Sequence, residues 1–291
     1  MSSRQTSGLT LARHYLEVHR PQAALDALTG VTGDDLDDAE YWTIRAEALL
    51  ELDRAAEGAD AARRGLEHDP QDISLLDALA LCELDGGDLA AAQQALDSAL
   101  AILPDHPVLL SHRALALALD KRYDAAREAV EHAMSVDPES RSVLRVQAQV
   151  AVLADDREAE HYIDELLAAD PEDRIGHALR GNLAVKQKRF KQASKAFREA
   201  ARLDPRDKEI AGVARNARVA AHPLLAPVRP MWRFGRWRSY FLYLTLITVL
   251  AAARLQTLRI VVICVWLVIV ILSWVGPRIL RRLEERKYGG F

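Results

Sequence analysis

The side chains in this 291-residue chain that could do chemistry are two cysteines, nine histidines and many carboxylates. His14 and His19 stand five residues apart, the wrong spacing for two ligands on one helix face, where three or four is required. Cys82 falls in a helical pattern and Cys264 in a strongly apolar tail, so no disulfide is expected, and the cysteine usage fits a reducing compartment. The acidic stretch TGDDLDD, Thr32 to Asp38, lacks the Asp-x-Asp-x-Asp-Gly spacing and distal glutamate of a calcium loop. It reads as a solvated loop that caps the next helix. No phosphate-cradling glycine loop, dinucleotide fingerprint, H-E-x-x-H or C-x-x-C occurs. The reading is a non-enzyme with no catalytic residue, no metal and no cofactor, whose residues act by recognition.

The elements that must position such residues are marked by prolines. Pro70, Pro104, Pro138, Pro171 and Pro205 are separated by 34, 34, 33 and 34 residues, and all but Pro104 follow an aspartate. Six residues after each of the first four comes Leu76, Leu110, Leu144 or His177, and ten after comes Ala80, Ala114, Ala148 or Gly181. A second pattern follows, with Ala92, Leu96 and Ala99, then Ala126, Val130 and Ala133, and later Ala193, Phe197 and Ala200. Spacings of four and three put each trio on one helix face. The proline then ends the second helix, because it cannot continue the hydrogen-bond ladder. Two helices per 34 residues is the period of a helix-turn-helix solenoid. The repeat after Pro138 is one residue short, and the loss is expected near Leu153 to Asp156.

At these residues the chain resembles the tetratricopeptide repeat (TPR) family. Trp42, Gly58, Ala62 and Gly65 fill the family's places in the repeat ending at Pro70, and Gly181, Ala193, Phe197 and Ala200 fill them in the repeat ending at Pro205. His177 departs from the large apolar residue usual at its place. The resemblance implies an all-α fold: a right-handed α-solenoid of five repeats over residues 39–205, after a degenerate capping repeat at 1–38 and before a solvating helix at 206–222. It also implies a protein-binding scaffold whose concave face is lined by the first helix of each repeat. The inward places are then Ser74, Asp77, Leu81 and Leu84, followed by Val108, Ser111, Leu115 and Ala118. The next repeats offer Ser142, Arg145, Gln149 and Val152, then Ile175, Ala178, Asn182 and Val185. Family members that clamp an acidic C-terminal tail use lysines, an arginine and asparagines at such places. Here Asp77 opposes a carboxylate, and the leucines and valines suit an extended peptide or amphipathic helix.

The net charge of -4 hides a polarised chain. Residues 1–172 hold 14 Lys+Arg against 35 Asp+Glu, and residues 173–291 hold 24 against 7. The basic segment Lys186 to Lys208 is read as a contact for anionic lipid, at about 1 kcal/mol per cation near the surface. Nucleic acid is the disfavoured alternative.

His222 to Pro230 carries three prolines and opens a linker, residues 223–238. In MWRFGRWRSY, aromatics interleave with arginines: Trp232, Arg233, Arg236, Trp237, Arg238 and Tyr240. Two charge-free runs follow, Phe241 to Ala253 and Ile260 to Gly276. Such runs are natural in a bilayer, where a spanning helix needs about 20 apolar residues. Tryptophan, tyrosine and arginine beside them are interfacial anchors, here including Trp274, Arg278, Arg281 and Arg282. The expected form is a transmembrane hairpin over residues 239–276 with a basic tail at 277–291; one span with an interfacial helix before it is the competitor. Nine basic residues flank the hairpin and two, Arg254 and Arg259, lie in its turn. That bias sets both ends in the cytoplasm, and the arginine- and alanine-rich composition points to a bacterial inner membrane. No secretory signal is read at the N-terminus. The functional expectation is a membrane-anchored adaptor that binds a partner protein or peptide. The alternative is a small subunit of a transporter or membrane complex with the repeats as its regulatory arm.

Overall fold

The computed structural model describes residues 2–31, 38–205, 207–223 and 256–288, together with Leu225, Thr245 and Thr248. The described residues contain helices and turns and no strand. The helices pair in chain order: α1 (Ser2–Glu17) with α2 (Pro21–Leu28), α3 (Ala39–Glu51) with α4 (Ala55–His68), and α5 (Ile73–Gly86) with α6 (Leu89–Ile102). Then come α7 (Pro107–Leu119) with α8 (Tyr123–Val136), α9 (Arg141–Leu153), α10 (Ala159–Ala169), and α11 (Arg174–Lys186) with α12 (Phe190–Leu203). Last are α13 (Lys208–Ala221) and the long α14 (Gln256–Tyr288). The chain divides into two compact units, Met1–Leu166 and Leu167–Phe291. Within the first unit α1, α3, α5 and α7 each pack on their own second helix and on the opening helix of the next pair, giving a helical solenoid.

Two local devices recur with the repeat and explain why the pairs form. The first is a side-chain N-cap two residues after four of the five prolines, Ser140 after Pro138 making no such bond. Asp72, Asp173 and Asp207 accept hydrogen bonds from the backbone N–H of Leu75 at 2.8 Å, Gly176 at 2.7 Å and Ile210 at 2.8 Å. His106 does the same through Nδ1 for Leu109 at 3.4 Å. Each satisfies a donor left open in the first helical turn. The second device is a single left-handed residue in the turn inside each pair. His19, Asp53, Lys121, Asp155 and Lys188 have φ of 52, 58, 64, 56 and 59°, and Gly87 fills the same place at 84°. These six positions keep the repeat spacing, and His19 extends it into α1–α2. Asp155 holds the full distance from Lys121, so the residue lost from the short repeat falls after Asp155. The loss is absorbed where α10, at 11 residues, replaces a 14-residue second helix.

The core follows the small-large-small pattern of the second helices. Ala92, Leu96 and Ala99 are fully buried, as are Ala126 and Ala133. In the second unit, a Cβ on Gly181 would meet the Phe197 ring at 2.7 Å. The absent side chain is what lets the Phe197 ring seat against α11.

α14 runs unbroken through Pro277 to Tyr288. The expected boundary between span and tail at residue 276 is therefore not a helix end. A proline within a helix costs one hydrogen bond without always ending it. Gln256 to Arg259, expected as part of the hairpin turn, also belong to this helix.

Candidate functional site

The opening helices of the first unit carry a row of polar groups that runs from helix to helix. Arg13 on α1 reaches Glu40 at 3.5 Å and Glu47 at 3.3 Å, both on α3. Asp77 on α5 and His112 on α7 are joined by a 2.6 Å contact between Oδ1 and Nδ1. Glu47 links the two groups electrostatically. Burial raises its carboxyl pKa above the ordinary value, Arg13 opposes the rise, and Asp77 and Glu51 add to it. The row thus sets Glu40, Glu47 and Asp77 beside Arg13 and His112.

Beside this row lie apolar side chains that are only half covered. Leu81 and Leu84 on α5 and Val108 and Leu115 on α7 are part-buried, and Leu119 at the end of α7 is 39% exposed. On α9, Ser142, Arg145 and Gln149 are part-buried. The face thus sets carboxylates on α3 and α5 beside apolar side chains on α5 and α7.

Not every expected place is open. Ser74 is exposed, as is Asn182 on α11, and Ala178 is part-buried. Ser111, Ala118 and Val152 are buried at 0%, 1% and 6% exposure. Ser111 donates its hydroxyl to the Val108 carbonyl at 2.7 Å. These three pack between helices and present no surface to a ligand. The residues missed in the sequence are Glu40, Glu47 and His112. Carrying the same offsets back into the repeat that ends at Pro70 would have reached Glu40 and Glu47. His112 sits one place beyond a counted position, and only the packing of α5 on α7 brings it to Asp77.

The cysteines offer no reactive centre on this face. Cys82 is buried, and burial first, with Glu83 and Asp85 adding, pushes its thiol up to about 12. Among the described residues no group of three His, Cys, Asp or Glu is placed to hold a metal ion.

The C-terminal residues form a different surface. Over Ile260–Pro277, α14 has a mean hydropathy of 2.7 and none of the window is buried. By length and composition this stretch is able to cross a membrane. Trp274, Arg278, Arg281 and Arg282 lie on α14. Trp232, Arg233, Arg236, Trp237, Arg238, Tyr240 and the first expected span at 239–253 lie outside the described residues, apart from Thr245 and Thr248. Near the end of the apolar window, Val219, Leu225 and Leu280 form a buried cluster. A Cβ on Gly276 would meet Leu225 Cδ2 there at 2.9 Å.

Sequence models of the tetratricopeptide repeat match residues 9–73, 83–150 and 175–207, together more than half of the chain. The chain carries tetratricopeptide repeats. TPR structures share its fold. A thermophilic TPR protein from Thermus thermophilus is 20% identical, with a TM-score of 0.56 over 62% of this chain and 99% of its own. PilW, a widely conserved type IV pilus biogenesis factor, is 15% identical, with a TM-score of 0.55 over 73% of this chain and 99% of its own. The APC/C hetero-tetramer Cut9–Hcn1 gives 13% identity and a TM-score of 0.57, covering 73% of this chain and 42% of that one. At these identities the likeness is one of fold. None of the curated proteins matches the chain. TPR proteins act in general as non-enzymatic scaffolds for protein–protein interaction, and no catalytic family is indicated.

Proposed function

We propose that this TPR protein is a membrane-anchored adaptor that holds a partner peptide on the opening-helix face of its first unit and keeps that partner at a bilayer. The observation that carries the reading is the face itself. Half-covered Leu81, Leu84 and Leu115 lie on the helices that carry Asp77 and His112, next to the carboxylate Glu47 on α3. The occupant that fits is an extended or helical segment pairing basic with apolar residues, since its cations would relieve Glu47 and its apolar side chains would cover the leucines.

The anchor is α14. Ile260, Val261, Val265, Val268 and Ile271 are each more than half exposed, a costly state in water and the ordinary one in lipid. An 18-residue window at 1.5 Å per residue is about 27 Å long, close to the hydrocarbon thickness. Leu225 packs at the C-terminal end of that window. The two charge-free runs and the basic residues that flank them favour the hairpin with an outgoing span at 239–253 over a single span. The basic flanks favour a cytoplasmic face for the repeats and the C-terminus in a bacterial inner membrane, with the basic segment 186–208 against anionic lipid.

Photo-crosslinking from position 81 in native membranes, followed by mass spectrometry, tests the reading. A partner captured from this position and lost in the Leu84→Lys, Leu115→Lys double variant supports the adaptor. A partner whose capture needs only residues 239–276 would instead make the chain a membrane subunit with a regulatory arm.

A further inference from the structure

The basic segment of the second unit is organised more narrowly than its sequence indicates. On α12, Lys191, Lys195, Arg198 and Arg202 follow spacings of four, three and four, and all four are exposed. At 100° per residue they fall within about 60° of one another around the helix. Ala193, Ala196, Phe197 and Ala200 are buried on the opposite side. The stripe contains one acidic neighbour, Glu199, whose carboxyl is held below its ordinary range by a hydrogen bond from Arg202, with His177 and Arg198 adding to the effect.

A second, independent observation says what lies near the stripe. α12 packs on α13, and α13 packs on α14. The Val219, Leu225 and Leu280 cluster closes where the apolar window of α14 ends. The stripe thus belongs to the helix pair that is held at the end of the membrane-crossing element, where headgroups would lie.

We propose that Lys191, Lys195, Arg198 and Arg202 are a docking stripe for the anionic headgroups of the bilayer that α14 enters, fixing the last TPR helix pair against the membrane surface. The proposal rests on the membrane anchoring argued above. Ammonium and guanidinium groups attract phosphate-bearing lipid through Coulomb forces and hydrogen bonds. Alanine and phenylalanine on the far side leave the stripe as the helix's only charged long face, so one orientation of α12 is selected.

The test uses the full chain in lipid nanodiscs, with an environment-sensitive fluorophore on a cysteine introduced by Gln192→Cys in a Cys264→Ser background. Discs are made of phosphatidylcholine alone or with about one third phosphatidylglycerol, each with a nitroxide on a fraction of the headgroups. The expected result is quenching at least threefold stronger in the anionic discs. That gain should vanish in the Lys191→Gln, Lys195→Gln, Arg198→Gln, Arg202→Gln variant and persist in a Lys121→Gln, Arg122→Gln control on the first unit. Matching thermal melts exclude misfolding of the four-site variant. Equal quenching in both discs, or a stripe that instead retains labelled single-stranded RNA, overturns the lipid assignment while leaving the anchor intact. Protein that never enters the discs and is released from native membranes by alkaline carbonate overturns the anchoring reading as well.

Discussion

His112 Nδ1 lies 2.6 Å from Asp77 Oδ1 and joins two successive opening helices across the surface where a peptide is proposed to bind. Both side chains are mostly covered, at 16% and 22% exposure, so the contact resists screening better than an open ion pair. Asp77→Asn is expected to cost about 1 kcal/mol, which for a domain of this size lowers Tm by about 2–4 °C. Circular dichroism melts of the single and double variants with His112→Ala would measure the coupling. Strict additivity of the two losses would show that the residues do not act as a pair.

Glu47 gives a pH dependence with a definite sign. Burial makes it hold its proton to a higher pH in the fold than in the unfolded chain. The folded state therefore binds the extra proton in the window just above the ordinary carboxyl range, and this group's contribution to stability falls as pH rises through that window. Glu47→Gln removes the penalty. Its Tm at pH 7 should equal or exceed that of the parent, with a flatter profile just above the ordinary carboxyl range. A drop of several degrees at pH 7 would mean that the bridge to Arg13 outweighs burial.

The left-handed turns separate strain from contact. Nothing lies within 4 Å of a Cβ on Gly87, so Gly87→Ala meets only the cost of its φ of 84°. That cost is about 1 kcal/mol. Lys121, at φ 64°, sits at the equivalent turn, and Lys121→Gly should raise Tm where Gly87→Ala lowers it. Opposite-signed shifts of about 2–4 °C are expected in thermal melts; shifts of one sign would refute the turn assignment.

Gly181 and Phe197 form a close fit in the second unit. Gly181→Ala drives a methyl into the ring and should cost about 1–3 kcal/mol. Phe197→Ala leaves a cavity and should cost about 3–5 kcal/mol. Combined with Phe197→Leu, the alanine at 181 should be tolerated better than alone. Denaturant melts of the three variants provide the check.

Much of this architecture was legible before any coordinate. Prolines at 34-residue spacing, with small and large residues at fixed offsets, require helix pairs, because helical periodicity ties burial to sequence distance. The charge-free run from Ile260 could be recognised for the same reason: its property depends on composition alone. The side-chain N-caps two residues after four of the prolines and the left-handed residue in each turn were there to be read as well, since both are short-range backbone requirements.

What the chain order could not state is which neighbours meet. Ser111, Ala118 and Val152 occupy inward offsets yet are buried, since exposure at a given offset depends on how closely the next helix leans in. Asp77 and His112 are 35 residues apart and become partners only when α7 stacks on α5. The contact of Leu225 with Gly276 joins segments separated by an entire proposed span, and no periodicity announces it. Local propensity and burial pattern are written along the sequence, whereas the pairing of side chains from different repeats is decided by the packing distance between helices.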